Sequence, residues 1–261
     1  MARSIFITGG GSGIGRAAAV LFARRGWRVG LGDVSDGGMA ETLALLGRED
    51  ASAHRLDVRD RVQWAEVLAA FAGETGRIDV LFNNAGIAVG GPLVETPESE
   101  IDRILAINLA GVVHGARAAY PYLKAAAPGS ALVNTASAAG IYGVGGGAIY
   151  SATKFAVRGL TESLDVEWAA DGIRVRSIMP GFIDTPLLDA VPAGSNQNTR
   201  ERVRASGLEF TPVEQVAEAV WAAVHGERVH VLVGKTARRL AFAARWMPGR
   251  LRRDLVGRNA L

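Results

Sequence analysis

In Tyr150-Ser-Ala-Thr-Lys154 a phenol and an ammonium stand at i and i+4, on one face of a helix. A phenol's pKa of about 10 is too high for a base at neutral pH, and a neighbouring ammonium favours the phenolate and lowers it. Taken alone, such a pair is ordinary on a helix surface. Its neighbours in the sequence change its weight. Ser137 closes Asn134-Thr-Ala-Ser137 after a strand-like run, and Asn83-Asn-Ala-Gly86 closes another. Asn108 lies inside an apolar helical stretch, where an amide needs a buried partner. Pro180-Gly-Phe-Ile-Asp-Thr185 follows a further strand.

A second set of residues suits phosphate binding. Ser4-Ile-Phe-Ile-Thr-Gly-Gly-Gly-Ser-Gly-Ile-Gly15 runs from a strand into a helix, with Gly9, Gly13 and Gly15 spaced G-x-x-x-G-x-G. Missing side chains let backbone N–H groups approach a pyrophosphate, and the helix N-terminus favours its charge. Ser12 adds a hydroxyl donor. A glycine run by itself can simply close a loop; the strand before and the helix after favour nucleotide binding. The absence of G-K-[ST] argues against a P-loop NTPase. Asp33 ends the second strand, 18 residues after Gly15. A carboxylate there accepts from adenosine ribose hydroxyls and repels a 2′-phosphate, which favours NAD over NADP. The competing reading of Asp33 is a cap for the next helix.

Regular elements must position these groups. Strands are expected over Ser4–Thr8, Arg28–Asp33, Ser52–Asp57, Val80–Asn83, Ala131–Thr135, Arg174–Ile178 and Val229–Val233. Helices are expected over Ile14–Arg25, Gly38–Leu46, Val62–Phe71, Glu98–Lys124, Ile149–Ala169 and Glu214–His225. The alternation predicts one α/β domain, a Rossmann-type doubly wound parallel sheet of about seven strands with helices on both faces. Residues 1–234 would form the domain and 235–261 a helical tail. The irregular stretch Asp184–Phe210 is the candidate lid.

The chain of 261 residues is 49% hydrophobic and 21% charged, as a globular protein is, and has no cysteine. Disulfides, thiolate metal sites and cysteine nucleophiles are thereby excluded. None of the four histidines has metal-ligand spacing, so no metal is expected. No apolar run spans a membrane or resembles a leader, and a cytoplasmic location is the default. The net charge of +3 is uneven: from Lys235 onward eight basic residues face only Asp254, a tail of +7 on a body of −4. On a helix, Lys235, Arg238, Arg239 and Arg245 share a side with Phe242 and Trp246, and Pro248-Gly249 should end it. Such a face packs on its own domain, meets a partner subunit, contacts nucleic acid, or touches a membrane weakly. No recognition module supports nucleic acid.

From Ser4 to Val233, about nine-tenths of its length, the chain resembles the classical short-chain dehydrogenases/reductases. The resemblance rests on Thr8–Gly15, Asp33, Asp57-Val58, Asn83–Gly86, Asn108, Ser137, Tyr150/Lys154 and Pro180–Thr185, in order and spacing. It implies that Tyr150 is the general acid/base and that Lys154 holds the nicotinamide ribose and lowers the phenol's pKa. Ser137 would polarise the substrate oxygen, and Asn108 would anchor a water linking Lys154 to solvent. Ile14 would lie beside the pyrophosphate, Asp57 and Val58 at the adenine, Asn84 at the ribose, and Ile183 and Thr185 at the nicotinamide amide. Ala85, Gly86, Pro180 and Gly181 complete the expected dinucleotide site. Substrate would meet Ser137, Ala139, Tyr142, Phe182, Leu187 and Leu188. Their apolar character favours a neutral secondary alcohol or its ketone. The resemblance also implies a homodimer or homotetramer built partly on the two long helices, with Ala110, Gly111, Gly115, Ala116, Ala118 and Ala119 allowing close packing. A non-catalytic dinucleotide-binding protein is the alternative, but no catalytic residue is missing.

Overall fold

A computed structural model describes residues 2–259, the side chains of 258 and 259 excepted. The end of the expected tail, residues 260 and 261, lies outside it. The order is β1 (Ser4–Thr8), α1 (Gly13–Arg24), β2 (Arg28–Asp33), α2 (Asp36–Leu46), β3 (Ala51–Arg55), α3 (Arg61–Thr75) and β4 (Val80–Asn83). Then come α4 (Glu98–Leu105), α5 (Gly111–Ala125), β5 (Ala131–Thr135), α6 (Ala148–Glu167) and β6 (Arg174–Pro180). The last part holds β7 (Phe182–Ile183), α7 (Thr199–Ala205), β8 (Phe210–Thr211), α8 (Val213–His225), β9 (His230–Val233), α9 (Gly234–Trp246) and α10 (Pro248–Asn259).

Seven strands pair in parallel in the order β3-β2-β1-β4-β5-β6-β9. The order reverses between β1 and β4, which opens a crevice at the carboxyl ends of the strands. Alternation along β1 feeds two cores. Ile5 and Ile7 join Phe22, Trp27 and Val220 on one face, while Phe6 joins Trp64, Phe71 and Leu132 on the other. Caps fix several helix ends. Asp60 accepts from the Val62 and Gln63 N–H groups at the start of α3, and Gly76, at φ 77°, closes it.

Four expectations change. The long helix expected over Glu98–Lys124 is interrupted by a π turn at Ala106–Ala110, which contains Asn108. Gly111, Gly115, Ala116 and Ala119 are buried within the chain. A Cβ on Gly111 would lie 2.8 Å from Val58, and one on Gly115 2.6 Å from Trp64. The small size of the two glycines thus serves the approach of α5 to its own core, while Ala110 and Ala118 stay half-buried. The stretch Asp184–Phe210 is more regular than expected. It holds a 3-10 turn at Pro186–Asp189 and α7, which starts with an Asn198/Glu201 capping box. Its ends are joined by pairing of β7 with β8. Finally, α9 ends at Trp246, ahead of Pro248-Gly249 as expected, but the tail goes on into a second helix, α10, which Pro248 opens at a first-turn position where its missing N–H is harmless.

Candidate active site

The glycine loop lies between β1 and α1 and is shaped by contact. A Cβ on Gly15 would sit 2.1 Å from the Gly9 carbonyl oxygen, so the turn closes only without one. Gly9 and Gly13 have φ of 67° and 50°, in the left-handed region. Ser12 is the N-cap of α1 but makes no side-chain cap, and the first N–H groups of the helix lack intrahelical partners. A Cβ on Gly13 would come within 3.1 Å of Thr185. The loop therefore faces the segment after β6, and Ile14 stands half-buried beside it. These donors and the open helix end fit a pyrophosphate.

Asp33 receives the Gly11 N–H at 2.9 Å and the Ser35 N–H at 3.0 Å. It is thereby aimed at the loop rather than serving as the helix cap, a role Ser35 takes. The nearby cation, Arg16, is engaged. Its guanidinium meets Glu41 at 2.7 Å and Thr42 at 3.0 Å. Asp57 is gripped by Arg59, whose hydrogen bonds hold its carboxyl below the usual range. Val58 is buried, and its carbonyl accepts from the Trp64 indole.

Asn84 is used differently from expectation. Its amide donates to the Thr8 carbonyl at 3.0 Å and accepts from the Thr135 hydroxyl at 3.3 Å. It ties β1 to β5, leaving chiefly backbone to a ribose. The Thr8 hydroxyl, which sequence reasoning did not single out, accepts from both the Asn84 and the Ala85 N–H at 3.0 Å. Asn83 and Asn134 link through buried amides at 3.2 Å, and Asn134 continues to Thr161 on α6. The carboxyl ends of β4 and β5 are thus locked to the helix that carries Tyr150 and Lys154.

Lys154 is buried, and its Nζ donates to the Thr135 carbonyl at 2.9 Å. Burial pushes its pKa down to about 8. The ammonium lies 5.6 Å from the centre of the Tyr150 ring. The phenol is shifted upward, mainly by burial, while a hydrogen bond with Ser137 pulls the other way. Loss of water around the phenol sets the direction, and the expected lowering by Lys154 is not seen. Ser137 accepts from the Ala139 N–H at 3.1 Å, which leaves its own proton available.

Asn108 is fully buried and finds the partner it requires. Its Oδ1 accepts from the Ile87 N–H at 2.8 Å and its Nδ2 donates to the Ile87 carbonyl at 2.9 Å. A Cβ on Gly86 would lie 3.2 Å from Asn108 Oδ1 and 3.7 Å from Lys154 Nζ. Asn108, Gly86 and Lys154 therefore meet at one point.

Pro180 at the end of β6 is buried, as are Ile183, Thr185 and Leu188 beyond it; Gly181 and Phe182 are half-buried and Leu187 exposed. Ala139 is buried and Tyr142 half-buried across the cleft. The Gly91 N–H donates to the Gly146 carbonyl and the Ala193 N–H to the Gly90 carbonyl, both at 2.8 Å, so three loops share one rim. Arg200 of α7 pins this segment. It contacts Asp184, donates to the Thr185 carbonyl at 2.9 Å and bonds Asp189 at 3.0 Å. No local signal marks Arg200; only the capping box before it is readable.

The chain matches the family model for short chain dehydrogenase over residues 3–196. It is 38% identical over 218 residues to 3-oxoacyl-(acyl-carrier-protein) reductase of Thermotoga maritima, covering 82% of this chain and 87% of that protein. To meso-2,3-butanediol dehydrogenase of Serratia marcescens it is 34% identical over 239 residues, 89% and 94% of the two chains. Among solved structures, a short-chain dehydrogenase/reductase of Burkholderia phymatum in complex with NAD superposes with a TM-score of 0.85 at 28% identity, covering 97% and 95%. One of Burkholderia cenocepacia J2315 in complex with NADP gives 0.82 at 25%, covering 97% of each chain.

Proposed function

Since the chain belongs to the short-chain dehydrogenase family of oxidoreductases, which bind a nicotinamide dinucleotide and act on alcohol- and ketone-like substrates, we propose that it is an NAD(H)-dependent dehydrogenase of a neutral, largely apolar secondary alcohol and its ketone. The observation that carries the reading is the meeting of Ser137, Tyr150 and Lys154 at the carboxyl end of β5. The dinucleotide supplies the hydride acceptor or donor. In the reductive direction Ser137 Oγ donates to the carbonyl oxygen and Tyr150 Oη delivers the proton, for which a phenol held protonated is suited. In oxidation the Tyr150 phenolate, favoured by the positive charge of Lys154, takes the hydroxyl proton at Oη and becomes the phenol. Thr135 fixes Lys154 Nζ, and a water near Asn108 would return the proton to solvent.

Asp33 supports NAD over NADP, because its carboxylate would face a 2′-phosphate and Arg16 is engaged by Glu41. The adenine would rest near Val58 and Asp57, and the nicotinamide near Ile183 and Thr185. Ala139, Tyr142, Phe182, Leu187 and Leu188 would line the substrate side. We also infer a cytoplasmic homodimer or homotetramer; exposed Phe155 and Val166 on α6 support a subunit contact there. Turnover followed by reduced-nicotinamide absorbance, over a panel of cyclic, aryl and steroidal alcohols and ketones with either dinucleotide, tests the reading. A preference for NADPH would overturn the role given to Asp33.

A further inference from the structure

α9 and α10 fold back on each other at the sheet edge beyond β9. The inner side of α9 is anchored, with Ala237 fully buried and Leu240, Ala243 and Ala244 half-buried. Phe242 is 58% and Trp246 65% exposed, large apolar surfaces that the described residues leave uncovered. A groove of about 520 Å³ lies between the helices, lined by Phe242, Met247 and Leu251 together with Arg238, Arg239, Arg250 and Asp254.

The charge around this apolar strip is unbalanced. Arginines of the body such as Arg16, Arg25, Arg48 and Arg55 hold carboxylates. In the tail, Lys235 reaches Glu209 at 3.5 Å and Arg250 reaches Asp254 at 3.9 Å. Among the described residues, no carboxylate lies within 4 Å of Arg238, Arg239, Arg245, Arg252 or Arg253. Five unpaired guanidiniums thus flank exposed aromatics on one helical hairpin.

We propose that this hairpin docks on the anionic surface of a lipid bilayer. Phe242 and Trp246 enter the boundary between headgroups and acyl chains, and the arginines lie on lipid phosphates. A basic face carrying aromatic side chains is complementary to that surface in both charge and polarity. A symmetric contact with a second copy would press the same positive patch against itself, and interface centres are depleted of charge. Nucleic acid would use the arginines through its phosphates but gives the apolar strip no matching surface. The hairpin also adjoins the catalytic end of the sheet. A Cβ on Gly181 would lie 3.3 Å from Thr236 in the first turn of α9. Docking would thus hold the cleft close to a membrane-dissolved apolar substrate, yet none of the docking residues belongs to the site described above.

The full-length chain should co-sediment with vesicles containing about one-third phosphatidylglycerol at least ~10-fold more strongly than with pure phosphatidylcholine, and lose this in high salt. Phe242→Ser/Trp246→Ser and Arg238→Glu/Arg239→Glu should each weaken binding at least ~10-fold without changing oligomeric state or turnover. Tryptophan fluorescence of the unaltered chain should be quenched by brominated lipid in the anionic vesicles. Equal binding to both vesicle types, unimpaired variants, or absent quenching overturns the proposal. So does dissociation of an oligomer by the aromatic variant, which makes the face a subunit interface, or tighter binding to duplex DNA than to vesicles.

Discussion

The dinucleotide end, β1 to β3 with its loops, and the catalytic end, β5 with α6, are built by opposite means. At the first, side chains are missing: Gly15 sits against the Gly9 carbonyl and Gly13 against Thr185, and α1 starts without a side-chain cap. The side chains nearby, Asp33 and Arg16, are held by the loop itself or by Glu41. At the second, the groups that would handle the proton, Tyr150 Oη and Lys154 Nζ, belong to side chains whose surroundings set their affinity for it. Steric change should therefore damage the first end through binding and stability together. Chemical change should damage the second through turnover with the fold intact.

The sharpest break is Tyr150→Phe. It removes one oxygen from a half-buried ring, so turnover should fall about 10²–10⁴-fold while the dinucleotide Kd and the thermal midpoint hardly move. A matching loss of dinucleotide affinity would erase the contrast between the two ends.

Lys154 gives a pH-dependent form of the same test. Its pKa in the fold is about 8, below the ordinary 10.5. Below about pH 8 both the folded and the unfolded chain hold the proton, and the fold carries the full burial penalty. Between about pH 8 and 10.5 the unfolded chain binds more protons, so stability rises with pH. Relative to Lys154→Met, the unaltered chain without dinucleotide should therefore gain roughly 3 kcal/mol over that window. Urea unfolding at pH values across the window reads this; a difference that stays flat argues that Lys154 is not desolvated.

Gly15→Ala should cost about 3 kcal/mol of stability, because the obstacle is backbone and cannot rotate away. Dinucleotide affinity should fall with it. Unchanged binding, by titration of protein fluorescence, would mean that the loop is not the phosphate site. The smallest effect belongs to Asp33→Ala, which should raise KM for NADH about 10–100-fold through loss of charged hydrogen bonds. NADPH should gain little, since Glu41 still holds Arg16. A full reversal toward NADPH in this variant would show Arg16 free to bind phosphate.

Periodicity located β1, β2, β4 and β5 to the residue, because strands covered on both faces read as continuous apolar runs. It missed the π turn at Asn108, because a wide turn keeps the helical pattern while changing where one amide lies. Gly111 and Gly115 read as subunit-facing, since smallness permits close approach without naming the neighbour. Pro248 marked the end of α9 correctly, but proline both ends helices and begins them, so the second helix, α10, was not readable from it.

The sequence by itself determined the kinds and order of the chemical groups. Glycines before a helix, an acid at the end of β2 and a phenol four residues from an ammonium are local facts, and local spacing fixes their mutual placement. Only the tertiary structure decided what each group is free to do. Asn84 is taken by Thr8 and Thr135, Arg16 by Glu41, and Lys154 by Thr135; burial raises the phenol's pKa against the pull of Ser137. The reason is that hydrogen-bond partners and loss of water come from packing distant segments together. Thr8 and Asn84, 76 residues apart, meet only when β1 and β4 pair.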